Sequence, residues 1–119
     1  MIKASSVFSL AWLISFSVSA GEVSIVDAKA QKHGSKWSFS VTLKHDDSGW
    51  DHYADQWRIL NSDDEILGVR VLHHPHVNEQ PFTRSLSGVE LPQGTKQVFI
   101  EARDSVHGWS PNRYKVVIP

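Results

Sequence analysis

The chain has 119 residues, a formal charge of -1, seven histidines and no cysteine. This length suits one small domain, and the lack of cysteine excludes a disulfide scaffold. Its 12 basic and 13 acidic residues are scattered, so there is no basic footprint for nucleic acid and no polybasic patch for a membrane surface.

The first twenty residues have the order of side chains that is typical of a secretory signal peptide. Lys3 supplies a positive charge, an apolar run follows over 7–16, and small residues end the segment at Ala20. The run is shorter than the roughly 20 residues that a membrane span needs, and no cysteine follows it for a lipid anchor. We predict a cleaved signal peptide over 1–20, one domain over 21–119 without a membrane span, and a periplasmic or secreted location.

The rest of the sequence predicts short β-strands. The clearest spans 37–44, where Trp37, Phe39, Val41 and Leu43 alternate with polar residues, a period of two that places one face in a core. Strands are separated by polar or glycine-containing turns, and no segment combines helical apolar spacing with a cap. In chain order we predict seven strands, over 23–30, 37–44, 56–60, 65–72, 81–86, 96–103 and 114–118.

Seven short strands in one small domain predict an all-β fold, a single antiparallel sandwich. Its core should contain the inward residues of both sheets. The predicted core residues are Trp37, Phe39, Val41, Leu43, Trp57, Ile59, Val98, Ile100, Val116 and Ile118.

Two sets of segments resemble known proteins. Residues 91–98 (LPQGTKQV), leading into 99–104 (FIEARD), resemble the E–F corner and F strand of fibronectin type III and immunoglobulin-like domains. Residues 74–85 and 102–109 resemble segments of small secreted bacterial proteins of uncharacterised activity. The first resemblance implies a seven-strand immunoglobulin-like sandwich, and the second implies no activity.

Six of the seven histidines lie in three loops that such a sandwich brings to one end, which we call the histidine pole. The loops span 45–55, 73–79 and 104–109, whereas His33 belongs to the opposite end. Neutral imidazole is a ligand for divalent transition ions, and without cysteine the candidates narrow to Zn(II), Cu(II) and other borderline ions. The histidines of the pole are His45, His52, His73, His74, His76 and His107.

The predicted metal ligands are His74, His76 and His107 with His45 or His52. The i, i+2 spacing of His74 and His76 places both rings on one face of an extended segment that Pro75 stiffens. His45 continues the inward register of 37–44, so it should be partly buried and needs a partner, which can be a metal ion or only a neighbouring carboxylate. Carboxylates available at the pole are Asp46, Asp47, Asp51, Asp55, Glu79 and Asp104.

Three functions fit this pattern. The leading hypothesis is a secreted binding protein that holds a divalent transition-metal ion at the histidine pole. A second is an immunoglobulin-like recognition module that holds a protein or glycan partner with Trp50, Trp109 and the acidic loop over 46–55. The aromatic residues Trp50, Tyr53 and Trp109 can instead fasten the loops to the end of the sandwich. A third is a small metalloenzyme with an open coordination position. A nucleophile elbow is absent, which disfavours hydrolysis by an activated serine.

The predicted cleavage site is tested by mass spectrometry of the exported protein. Its amino terminus should be Gly21, because small residues occupy the positions that signal peptidase requires. An exported chain that begins at Met1 would contradict both the location and the domain boundary.

Overall fold

The structure is a computed structural model that describes residues 22–119. The predicted signal peptide over 1–20 and its cleavage before Gly21 lie outside the described residues. Between 22 and 119 every regular element is a strand, and none of these residues forms a helix with the length and apolar character needed to cross a bilayer.

The strands form two antiparallel sheets, which confirms the predicted all-β class. One sheet has the order β1-β2-β5, and the other has the order β4-β3-β6, with β7 and β8 both paired to the far side of β6. The predicted seventh strand over 114–118 corresponds to β8, and β7 is an additional two-residue strand that the sequence pattern did not predict. The bounds are β1 Ser24–His33, β2 Lys36–Lys44, β3 Ala54–Leu60, β4 Ile66–Val71, β5 Phe82–Val89, β6 Gln97–Asp104, β7 Gly108–Trp109 and β8 Tyr114–Val117.

The central strand of the smaller sheet is β2, which has the predicted alternation. Its inward Phe39, Val41 and Leu43 are fully buried. On the outward face, hydroxyl groups of β2 form hydrogen bonds with hydroxyl groups of β5 at 2.7–2.8 Å. The side chains along this seam are therefore small and uncharged, and they bond to one another. The pairs are Ser38 with Ser87, Ser40 with Ser85 and Thr42 with Thr83.

The turn between β1 and β2 contains only Gly34 and Ser35, because β1 continues to His33. A two-residue hairpin turn needs a positive φ at its first central residue, and Gly34 supplies φ 62°. Similarly, β5 continues past the predicted end at Leu86 to Val89. Both β1 and β5 are longer than predicted because their main chains continue to pair with β2. The alternation of apolar residues did not indicate this additional length.

The core lies between the sheets and contains inward residues of both. Eight of the ten predicted core residues are buried. Trp37 and Ile118 are only partly buried, since both line a cleft at the end of the sandwich opposite the histidine pole. The eight buried residues are Phe39, Val41, Leu43, Trp57, Ile59, Val98, Ile100 and Val116.

Trp57 is the largest fully buried side chain, so its truncation tests the register of β3. We expect Trp57→Ala to lower the free energy of unfolding by about 3–5 kcal/mol, because the cavity it leaves cannot collapse fully. Trp50→Ala is the matched control: Trp50 is 67% exposed, and its truncation should change stability by no more than about 0.5 kcal/mol. Equal effects of the two substitutions in urea unfolding would contradict the assigned register.

Candidate metal centre

Three side chains at the histidine pole lie in line with the residues that point into the core from β2, β3 and β6. His45 lies two residues after Leu43 in β2, His52 lies two residues before Ala54 in β3, and Asp104 lies two residues after Ala102 in β6. Alternate residues of an extended chain point to the same face. The rows that fill the core with apolar groups therefore end, at this pole, in two imidazoles and a carboxylate.

Among the described residues, these three side chains bring potential metal-ligand atoms close together. One ligand atom each from His45, His52 and Asp104 lies within 4.8 Å of the others. Tetrahedral ligands around Zn(II), at 2.0–2.2 Å from the ion, are roughly 3.4 Å apart. The three atoms would therefore have to converge by about 1.4 Å or less to hold an ion.

A buried carboxylate orients the ring of His45. The Nδ1 of His45 donates a hydrogen bond to Asp47 Oδ1, and both side chains are completely buried. In the neutral tautomer that this bond selects, Nε2 carries the lone pair. A carboxylate that accepts from one imidazole nitrogen while the other ligates is the usual outer partner of metal-binding histidines.

Asp47 also fastens the surrounding loops. Its Oδ1 accepts a second bond from the Ala54 amide at 2.9 Å, and its Oδ2 accepts one from the His76 amide at 2.8 Å. The start of β3 and the loop before β5 are thereby both attached to the residue that orients His45.

Asp104 is held in its ionised form. Burial by itself would raise the pKa of Asp104, but hydrogen bonds from the amides of His107 and Val106, and from the His107 ring, lower the pKa below its ordinary value. Its Oδ1 accepts these amides at 2.7 and 2.9 Å and contacts His52 Nε2 at 3.1 Å. An anionic oxygen next to an imidazole nitrogen is a suitable pair of ligands for a divalent ion.

His107 lies at the open side of this group. Its Nδ1 is 3.1 Å from Asp104 Oδ1, and its ring centre is 5.0 Å from that of His52. The His107 side chain is 43% exposed, so it has room to turn toward an ion. We define the trio as His45, His52 and Asp104, beside which His107 lies.

The other two predicted ligands form a separate pair. His74 and His76 have ring centres 4.6 Å apart, and His76 stacks on Phe82 at 4.0 Å rather than entering the trio. Two links connect this pair to the trio. The His76 amide donates to Asp47, and the Gln80 side chain donates to the His76 carbonyl at 2.9 Å and accepts from the His45 amide at 3.0 Å. His73 is exposed at the same pole, and His33 is exposed at the end of β1.

The aromatic residues of the pole have different surroundings. Trp50 is exposed and meets Tyr53 edge-on, with ring centres 5.7 Å apart. Trp109 lies in β7, where Arg58 stacks on its ring at 3.7 Å. Arg103 pairs with Asp55 at 3.2 Å and Arg84 with Glu79 at 3.0 Å, as expected for arginines with local acidic partners.

Comparison with known proteins finds a relative of similar sequence. The chain is 43% identical over 89 residues to a protein of Halomicrobium mukohataei named "Putative lipoprotein". The match covers 74% of this chain, which spans only 43% of the length of that relative. No family model matches the chain, and no solved structure matches it, so the immunoglobulin-like resemblance stays a prediction.

The role of Asp47 is tested by its removal. Asp47→Ala should lower the free energy of unfolding by about 3 kcal/mol or more, because it leaves the Ala54 amide, the His76 amide and the His45 ring without their acceptor, at about 1–3 kcal/mol for each buried group. The neighbouring Asp46 is exposed, and Asp46→Ala should change stability by about 0.5 kcal/mol at most. Similar unfolding midpoints for the two variants would show that Asp47 does not fasten the loops.

Proposed function

We propose that this protein is a binding module that holds a divalent transition-metal ion at the histidine pole, through His45, His52 and Asp104 with His107 as the fourth ligand. The observation that carries the proposal is the convergence of the trio, whose ligand atoms lie within 4.8 Å of one another. The buried Asp47 behind His45 supports it, because that carboxylate orients a ligating nitrogen toward the group.

The donor set determines the class of ion. Three imidazole nitrogens and one carboxylate oxygen favour Zn(II) or Cu(II), whereas calcium prefers six or more oxygens. The chain has no cysteine, so a thiolate site of the blue-copper type is not available within it. Binding would join the loops that carry the ligands and add binding free energy to that of folding.

We place the module in the cell envelope or in the secreted fraction. The predicted signal peptide supports this location. The relative from Halomicrobium mukohataei also supports it, because that protein is named "Putative lipoprotein". A periplasmic location is the finer form of the same proposal.

A recognition module remains the second candidate, and Trp50 is the observation that favours it. A tryptophan that is 67% exposed beside Tyr53 offers an apolar surface for a protein or glycan. The division of strands between β1-β2-β5 and β4-β3-β6-β8 supports an immunoglobulin-like sandwich for either function.

Metal binding is tested by titrating the untagged protein with Zn(II) and with Cu(II) in a calorimeter and by following its unfolding temperature. The wild type should bind and gain thermal stability, because an ion that binds only the native state stabilises it by mass action. His52→Ala and Asp104→Asn should weaken binding at least about tenfold, since loss of an outer partner alone costs about that much. His33→Ala, at the opposite end, should bind like the wild type.

The pH dependence of binding supplies an independent check. Affinity should fall as the pH is lowered from neutral, because a protonated imidazole has no lone pair for the ion. Binding by His52→Ala and Asp104→Asn that equals the His33→Ala control, or no stabilisation of any variant by either ion, would reject the metal function in favour of the recognition module.

A further inference from the structure

The ring of His76 is buried, and its two nitrogens make no hydrogen bonds with the described residues. The residue is 5% exposed, and both of its ring nitrogens are buried without a hydrogen-bond partner. A neutral imidazole carries one N–H donor and one lone pair, and leaving such a group unpaired in an interior costs about 1–3 kcal/mol. A buried polar group of this kind points to a missing ligand or ion.

The surroundings keep His76 neutral and therefore able to ligate. Burial lowers the pKa of His76 below its ordinary value, and the positive charge of Arg84 lowers it further, against the opposite influence of Glu79 and Asp47. The neutral form therefore persists to lower pH than in an exposed histidine.

His74 is arranged to supply a second nitrogen. Its Nδ1 donates a hydrogen bond to the carbonyl of Pro75 at 3.0 Å, so in the neutral tautomer Nε2 carries the lone pair. A backbone carbonyl on one nitrogen is a usual outer partner of a ligating histidine. His74 is exposed, which gives an ion a route to the pair from solvent.

The distance between the two rings suits shared ligation. An ion at 2.0–2.1 Å from a ring nitrogen lies roughly 3 Å from the ring centre, so two imidazoles on one ion in a cis arrangement have centres roughly 4.5–5 Å apart. The rings of His74 and His76 have centres 4.6 Å apart, and Phe82 supports the far face of His76 at 4.0 Å.

We infer that His74 and His76 form a second binding site for a divalent transition-metal ion, separate from the trio and joined to it through Asp47. Water completes the coordination, because Arg84 holds both carboxylate oxygens of Glu79, the nearby acid, at 3.0 and 3.2 Å. With two protein ligands and a cation close by, this site binds more weakly than the trio. The inference stands whether or not the trio is loaded.

Stoichiometry tests the second site. Native mass spectrometry of the protein with Cu(II) or Zn(II) alone should show two bound ions, the second at a concentration at least about tenfold higher than the first. His74→Ala should abolish the weaker event and keep the stronger one. The control His73→Ala, which removes an exposed histidine from the same loop, should keep both.

Two further variants separate this inference from the function proposed for the trio. His52→Ala should lose the stronger event and keep the weaker one. His76→Gln, with its folding checked by circular dichroism, should lose the weaker one. A wild-type ion count that His74→Ala leaves unchanged would overturn the second site. Unchanged binding in His52→Ala would instead reject the trio.

Discussion

The carboxylate of Asp47 is the interaction on which the histidine pole depends. A buried anion needs donors to replace its water, and this one accepts from the His45 ring, the Ala54 amide and the His76 amide. These donors belong to three different parts of the chain. Their shared acceptor therefore determines where the loop after β2, the start of β3 and the loop before β5 lie relative to one another.

Much of the fold follows from local patterns in the sequence. The period of two in β2 correctly predicts the burial of Phe39, Val41 and Leu43, and its continuation correctly predicts that His45 turns inward. The structure gives Asp47 as its partner, which the sequence left open. The same reasoning applied to β6, where Val98, Ile100 and Ala102 alternate with polar residues, would have placed Asp104 inward. Asp104 was predicted only as one of six carboxylates at the pole, although this alternation distinguishes it from the other five.

The conformations of the loops were beyond sequence reasoning. Asp46 and Asp47 look alike in the sequence, yet one is exposed and the other is buried. The difference arises from contacts to residues as distant as His76, which no local pattern encodes. For the same reason, the spacing of His74 and His76 correctly predicts that they are neighbours, but not that His76 stacks on Phe82 outside the trio.

The trio lies where the inward-pointing residues of β2, β3 and β6 meet the histidine pole. The direction of its side chains therefore depends on the number of residues in each strand. A one-residue insertion or deletion within β2 would exchange the faces of every residue beyond it, turning His45 outward and Lys44 toward the core. The hydroxyl pairs on the outer face tolerate exchange among small polar residues, since no apolar contact depends on them. Selection on this protein should therefore be lenient toward outward substitutions in β2 and severe toward any change in its residue count.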